Sequence, residues 1–435
     1  MASKKSGVGF WVARIAWFLF LGASFGSAQV PTAAVSGRVL DSSGAAIPSA
    51  NVTVTSQETG RVQTTQTSAG GYYKVVVPVG VYNVRVEVIS FRPETRQGLN
   101  LSVGQEAVLN FSLQVGSVAE SVTVTAEAPL VDTTSGSLGG LVNEQKVSEL
   151  PLNGRNFNDL VLLQPGIGIS KPVSTTSTAS KGLFFSSNGA SVTSNYMMLD
   201  GANLMNVTGL NGVSASGSML GVEGIREFRV ITNFAQAEYG MVMGGQVVVV
   251  TKNGTNNFHG SLFEFLRNSA FDARNHFDRK RNETDPRIPD FRRNNFGGSA
   301  GGPIQRDKQF FFVTYEGVRE SLGDTKTLNT INAQARQDGF LVPRIAESVK
   351  PYLALFPLPT EPLPNDPTGA QGAGRFVYVF KQPTREDYGS ARWDYNFSEK
   401  DTMFIRYTID DTIQTKSPNF PQYSDSYKTR GQYMT

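Results

Sequence analysis

Residues 387–409 read DYGSARWDYNFSEKDTMFIRYTI, and their alternation constrains the chain more than any other feature. Ala391, Trp393, Tyr395 and Phe397 fall on one side of an extended segment, and Ser390, Arg392, Asp394 and Asn396 on the other. After the polar turn Ser398–Asp401 the pattern resumes. Met403, Ile405, Tyr407 and Ile409 alternate with Thr402, Phe404, Arg406 and Thr408, and Phe404 is the one break on the polar side. Successive side chains of a strand point to opposite faces. A hairpin with one aromatic-rich apolar face and one polar face has the pattern of an outer-membrane strand pair.

A second pair precedes it. FRRNNFGGSAGGPI turns at Gln305–Lys308 into QFFFVTYEGVRE. His259 onward, GSLFEFLRN, is expected to be the first wall strand, although its alternation is mixed. Short turns at 305–308 and 398–401 alternate with long connections at 269–291 and 320–386. Barrels of this kind have short periplasmic turns and long outer loops. Pro351, Pro357, Pro359, Pro362, Pro364 and Pro367 argue against wall strands in the longer connection. The expectation is about five strands, whereas closure needs at least about eight. Residues 258–435 are therefore expected to be the N-terminal part of an antiparallel transmembrane barrel. The chain would be the first part of a longer protein or a truncated gene product.

The N-terminus carries an export signal. Lys4, Lys5 and Arg14 precede the apolar run IAWFLFLGA, and small residues lead to a cleavage point between Ala28 and Gln29. The alternative is a membrane anchor, but that run is far short of the about 20 residues a spanning helix needs. Residues 1–28 hold three of the 40 basic residues and no acid, so 37 basic face 37 acidic residues in the remainder. A neutral chain gives no electrostatic case for nucleic acid. With no cysteine there is no disulfide framework, zinc–thiolate site or lipid-modified N-terminal Cys.

Residues 33–115 are short strands between turn signals, which predicts an antiparallel β-sandwich. Tyr82, Val84, Val86 and Val88 alternate with Asn83, Arg85 and Glu87. Ser36-Gly37-Arg38-Val39, Gly44 to Pro48, Gly71-Tyr72-Tyr73 and Pro78 to Tyr82 resemble, in order and spacing, the carboxypeptidase regulatory-like domain. That resemblance implies a transthyretin-like fold of the carbohydrate-binding-like class. No cluster of exposed aromatics for a sugar is evident, and a structural module is the simpler expectation.

Residues 116–128 form a linker whose Val118, Val122 and Val124 alternate with polar residues up to Pro129. It could close the sandwich as a last strand, or donate itself to a sheet edge. Residues 129–257 predict an α+β unit. Short helices are expected in VNEQKVSELP and RNFNDLVLLQPG, and Val247 to Val250 read as a strand buried on both faces. Leu199-Asp200-Gly201, Val222 to Phe228, Glu238-Tyr239-Gly240, Gly244-Gly245 and Val249 to Asn256 resemble, in order, the plug domain of TonB-dependent outer-membrane receptors. More narrowly they are similar to the Oar-like group, which carries a regulatory-like domain in front.

The resemblance implies a plug that fills a barrel of about 22 strands. It also implies a TonB box just before the plug. Ser121, Val122, Thr123, Val124, Thr125 and Ala126 stand where that box would be, with a loose sequence match. The implied protein lies in the outer membrane, with sandwich and plug on the periplasmic side. Its partners are a TonB-type energy-transducing protein, outer-membrane lipid, and a solute that is an oligosaccharide, a peptide or a metal chelate.

Nothing indicates an enzyme. His259 and His276 are the two histidines, and no metalloprotease, nucleophile-elbow or phosphate-loop motif occurs. Catalytic, cofactor and metal residues are accordingly expected to be none. Asp200, Glu223, Arg226 and Glu227 are expected to be solvated or paired with the wall. Solute contacts are expected on the loops at 170–181, 202–221 and 320–386. The competing class is a secreted or cell-surface carbohydrate-binding-like adhesion module without transport, which the Trp393/Tyr395/Phe397 face opposes.

Overall fold

The computed structural model describes residues 31–116, 122–125, 137–152, 155–169, 184–204, 221–233, 243–273, 288, 290–399, 401–416 and 419–435. The export signal with Ala28 and Gln29, the loop at 170–181, Glu238–Gly240 and His276 lie outside the described residues.

The N-terminal strands are β1 (Thr32–Asp41), β2 (Asn51–Ser56), β3 (Val62–Gln66), β4 (Tyr72–Pro78), β5 (Gly80–Glu87), β6 (Glu94–Leu101), β7 (Glu106–Val108) and β8 (Phe111–Leu113). They form two facing sheets. One is β4-β1-β7, with β8 also on β1; the other is β3-β2-β5-β6 with β9 (Val122–Thr125) added at its edge. Alternation puts Tyr82, Val84 and Val86 inside, where they meet Val35, Val52, Leu99 and Phe111. Gly71 (φ +76°) makes the tight turn before β4, and a Cβ there would stand 2.6 Å from the Val39 carbonyl oxygen. β9 pairs in parallel with β6, Val122–Thr125 against Glu94–Gln97. Of the two expectations for the linker, the last strand of the sandwich is the one the structure adopts.

The central unit contains β10 (Leu138–Val142), α1 (Glu144–Glu149), α2 (Asn158–Val161), β11 (Ile167–Ile169), β12 (Phe185–Ser187), β13 (Tyr196–Leu199), β14 (Ala202–Asn203), β15 (Ile225–Asn233) and β16 (Gln246–Thr251). Both expected helices form, and the Asn143 side chain caps α1 by accepting from the Lys146 N–H at 3.1 Å. The main sheet runs β10-β15-β16-β13-β14, with β13 parallel to β16. Leu199-Asp200-Gly201-Ala202 is a two-residue hairpin with Asp200 at φ +46° and Gly201 at φ +85°. Asp-Gly suits a turn that needs positive φ at both central residues.

All six residues of β16 are buried, for two reasons. Val247 and Val249 pack with Phe157, Leu160 and Phe228 of the same unit. Val248 and Val250, with Met198 of β13, pack instead against Val103 and Val79 of the sandwich. One face of the central sheet is thus covered by the neighbouring domain.

The wall consists of β17 (His259–Asn268), β18 (Phe291–Gln305), β19 (Gln309–Ile331), β20 (Ala373–Asn396), β21 (Thr402–Lys416) and β22 (Asp425–Met434), antiparallel and side by side in chain order. This corrects the expectation of about five strands. β22, DSYKTRGQYM, lacks a run of apolar residues on either face, and a barrel strand gives a weak signal singly. The connection expected at 320–386 is also shorter. β19 and β20 pair continuously out to Ile331 and Ala373, leaving 332–372, which holds the six prolines and the short α3 (Lys350–Leu353). A spanning strand needs about 9–11 residues. β19 has 23 and β20 has 24, about twice what one crossing uses.

Burial along β21 runs opposite to that of a soluble sheet, while β19 buries aromatic and polar residues on the same face. The polar residues Arg406, Thr408, Asp410, Thr412 and Gln414 of β21 are buried, whereas Met403 and Tyr407 are exposed. Phe310, Phe312 and Thr314 of β19 are buried and Val313 and Tyr315 exposed. The outward face carries an aromatic row near the short turns, half-buried except for the exposed Phe397. Trp393 stacks on Tyr395 at 5.7 Å, Tyr395 meets Phe397 edge-on at 4.2 Å, and Phe311 lies beside Trp393 in register. Such rows mark a membrane–water interface.

Candidate functional site

The site is the seam between the central unit and the polar face of the wall. Its centre is the β13–β14 hairpin. The carboxylate of Asp200 accepts from the Thr251 N–H at 2.8 Å and the Thr251 hydroxyl at 2.7 Å, which fixes its direction. Its Oδ2 then meets Nη1 of Arg392 at 3.3 Å and Nη1 of Arg406 in a closer contact. Arg392 and Arg406 are direct cross-strand neighbours on β20 and β21. Like charges in that position repel. Asp200 from one side and Asp394, 2.8 Å from Arg392 Nη2, supply the opposing charge. Phe404, the one break in the polar alternation, also has a task. It faces inward, and Arg392 lies over its ring at 4.4 Å. Arg406 also donates to the Thr435 hydroxyl at 2.9 Å.

A second anchor lies at Val222–Gly224, a single 3₁₀ turn. Glu223 accepts from Arg155 Nη2 at 2.8 Å and from the Ser261 hydroxyl of β17 at 2.7 Å. The Glu223 N–H donates to Glu316 of β19 at 2.9 Å. Gly221 is held so close to the wall that a Cβ would stand 2.3 Å from Glu316 Oε1. Arg155 lies over the Phe263 and Phe265 rings at 4.2 and 4.6 Å.

The four charges singled out in the sequence therefore divide. Asp200 and Glu223 pair with the wall, as expected. Arg226 and Glu227 instead face the sandwich. Arg226 makes a two-pronged pair with Glu58 at 2.7 and 2.9 Å. Burial opposes its charge, but the hydrogen bond and charge of Glu58 outweigh burial and raise its pKa. Glu227 accepts from the Val103 N–H at 2.6 Å. Burial raises its pKa, against the lowering effect of that bond and of Arg226. Arg229 donates to the Val103 and Gly104 carbonyls at 3.2 and 2.8 Å.

The β2–β3 turn completes the junction. Asn256 donates its N–H to the Glu58 carbonyl at 2.8 Å, and its side chain donates to Asp307 Oδ1 at 2.7 Å and accepts from the Asp307 N–H at 2.9 Å in the first short turn of the wall. Arg61 reaches Thr402 Oγ1 at 3.3 Å beside the second. A cavity of 140 Å³ lies where the three units meet, lined by Glu58, Arg61, Asp200, Arg226, Arg392 and Phe404 among others.

Of the TonB-box candidates, Val122, Thr123, Val124 and Thr125 form β9, while Ser121 and Ala126 lie outside the described residues. His259 stacks on Phe312 at 6.0 Å in an exposed position at the start of the wall. No group of three or more His, Cys, Asp or Glu is placed to hold a metal among the described residues. Sequence reasoning missed Glu58, Val103 and Arg155. All three act across domains, and only the inward charges Arg392 and Arg406 left a trace, as cations on the polar side of an alternating strand.

A wall with an aromatic outward face and a buried, ion-paired polar face has the pattern of an outer-membrane β-barrel wall. Residues 250–435 match the outer membrane beta barrel domain family, and residues 34–114 match the carboxypeptidase regulatory-like domain. The chain is a homologue of the TonB-dependent transporter Oar of Myxococcus xanthus, 26% identical over 290 residues, which cover 64% of this chain and 26% of that one. It thus spans about a quarter of that relative's length. Two solved structures overlap 68% of the chain. They are the Escherichia coli outer membrane transporter YddB (16% identity, 36% of that chain, TM-score 0.42) and the Acinetobacter baumannii siderophore receptor PirA (15%, 44%, 0.35). The curated relative is a transporter.

Proposed function

We propose that residues 129–257 are the plug of a TonB-dependent transporter, that the plug sits in the barrel lumen, and that a solute passes when the plug is displaced. In this reading the short turns at 305–308 and 398–401 face the periplasm and the loop at 332–372 faces outward. A TonB-type periplasmic protein engages Ser121–Ala126 and pulls. The solute binds at the outer face and is an oligosaccharide, a peptide or a metal chelate.

The observation that carries the reading is the seam itself. Asp200 and Glu223 meet the wall through ion pairs and hydrogen bonds with Arg392, Arg406, Ser261 and Glu316. Groups of this kind can exchange their partners for water at modest net free energy. Most of what such a seam uncovers on the wall when the plug moves is polar, with Tyr388, clustered with Val222, among the apolar contacts that are lost. The test is binding of a purified TonB C-terminal domain to the full chain in detergent. Val122→Pro and Val124→Pro remove ladder donors from the segment and are expected to abolish binding. Unchanged binding by both variants would overturn the assignment of this segment.

A further inference from the structure

We propose that the N-terminal sandwich is a latch on the periplasmic side of the plug, and that the pull which moves the plug first undoes it. This rests on the reading above of β9 as the handle. The contacts are specific. Strand β15 of the central unit presents Arg226, Glu227 and Arg229 to the sandwich, and each is engaged, by Glu58, by the Val103 N–H, and by the Val103 and Gly104 carbonyls. Val103 is also the apolar centre of the contact, buried with Met198, Val248 and Val250. While these contacts hold, that face of the central sheet is closed.

The topology connects the handle to the latch. β9 hydrogen-bonds to β6. β6 ends at Leu101, and Val103 follows two residues later. A load on β9 passes through its backbone pairs to β6, and from there directly to the residue that makes the contact. The other side of the sheet runs β6-β5-β2, and β2 leads into the turn that carries Glu58. Both halves of the contact thus belong to the sheet that is loaded. On this account the regulatory-like domain needs no sugar to have a purpose. It keeps the plug shut until force arrives through its own edge strand.

The chain has no cysteine, so single-cysteine reporters are unambiguous. Met198→Cys reports the sandwich–plug contact, and Val222→Cys, buried in a cluster with Tyr388 of the wall, reports the plug–wall seam. Maleimide labelling is followed in cells holding the full chain in the outer membrane, energised or treated with a protonophore. The latch predicts that Met198→Cys labels about tenfold faster in energised cells, because labelling of a covered site tracks the open population. In resting cells Glu58→Arg or Arg226→Glu alone is expected to speed it similarly, and the Glu58→Arg/Arg226→Glu pair to restore protection. If Val222→Cys responds to energy while Met198→Cys stays protected, sandwich and plug move as one body; the latch is then wrong and the transport reading stands. If neither responds, plug displacement itself fails.

Discussion

Arg392 and Arg406 face each other across β20 and β21, and both converge on one oxygen of Asp200 from the central unit. Neither strand would place two cations side by side without a counter-charge. Asp394 neutralises one of them from within the wall. The other, Arg406, depends on a residue 206 positions earlier in the chain, so the wall is electrostatically complete only when the central unit is seated.

Asp200→Ala should therefore weaken seating more than an ordinary surface change. Removing one partner of a buried pair costs about 3–5 kcal/mol, because the remaining charge stays buried. The check is urea unfolding in detergent, with protease sensitivity of residues 184–251 as a local readout. Asp411→Ala, at the exposed Arg430 pair, is expected to change stability by under about 1 kcal/mol.

The direction of the wall's two faces can be tested by a single charge. Val313 lies on the exposed face of β19, in register with Ala391. Val313→Arg should cost about 2–4 kcal/mol if that position lies near the bilayer midplane. Lys308→Ala in the short turn should stay within about 0.5 kcal/mol. Folding into lipid vesicles at increasing urea measures both.

Gly60 is required where the sandwich meets the first short turn. Its φ is +68°, and a Cβ would stand 2.1 Å from Asp307 Oδ1. Gly60→Ala should cost about 1–3 kcal/mol by backbone strain, and should loosen the sandwich from the wall. Hydrogen exchange at Asn256 and Asp307, whose N–H groups close this junction, should rise.

Glu227 gives the sandwich contact a pH dependence. Burial holds its pKa above the ordinary 4.5. A carboxyl raised in the folded state favours docking when protonated, so its contribution is full below about pH 4.5 and declines as pH rises through the raised value. Docking of the wild-type chain should tighten on acidification. Glu227→Gln keeps an acceptor for the Val103 N–H and should flatten that profile. Thermal unfolding between pH 4 and 8 would show it.

The parts legible in the sequence were those governed by short-range patterning. Alternation in 387–409 exposed the wall hairpin, and Gly-rich turns between Val-rich strands exposed the sandwich. β22 was missed because Tyr427 and Tyr433 are too few to make a face. The far halves of β19 and β20 were read as loop: β19 shows no apolar face there, and the alternating Phe376, Tyr378 and Phe380 of β20 follow directly on the proline-rich stretch that argued against strands. The continuous burial of β16 was visible, but half its cause was not. Val248 and Val250 are covered by Val103, which is far away in sequence. The division of Arg226 and Glu227 from Asp200 and Glu223 was invisible for the same reason, since a charge shows its partner only once the domains are packed.

The most direct test is a nitroxide scan of residues 403–409 in outer-membrane vesicles, one cysteine at a time in the otherwise cysteine-free chain. The account predicts a period of two. Oxygen should relax labels at Met403, Ile405, Tyr407 and Ile409, which face lipid, while Phe404, Arg406 and Thr408 should be shielded from oxygen and from a water-soluble relaxer by the seated plug. If the even positions collide freely with the water-soluble reagent, nothing fills the lumen against this wall. If the period is absent or reversed, the wall itself has been assigned wrongly.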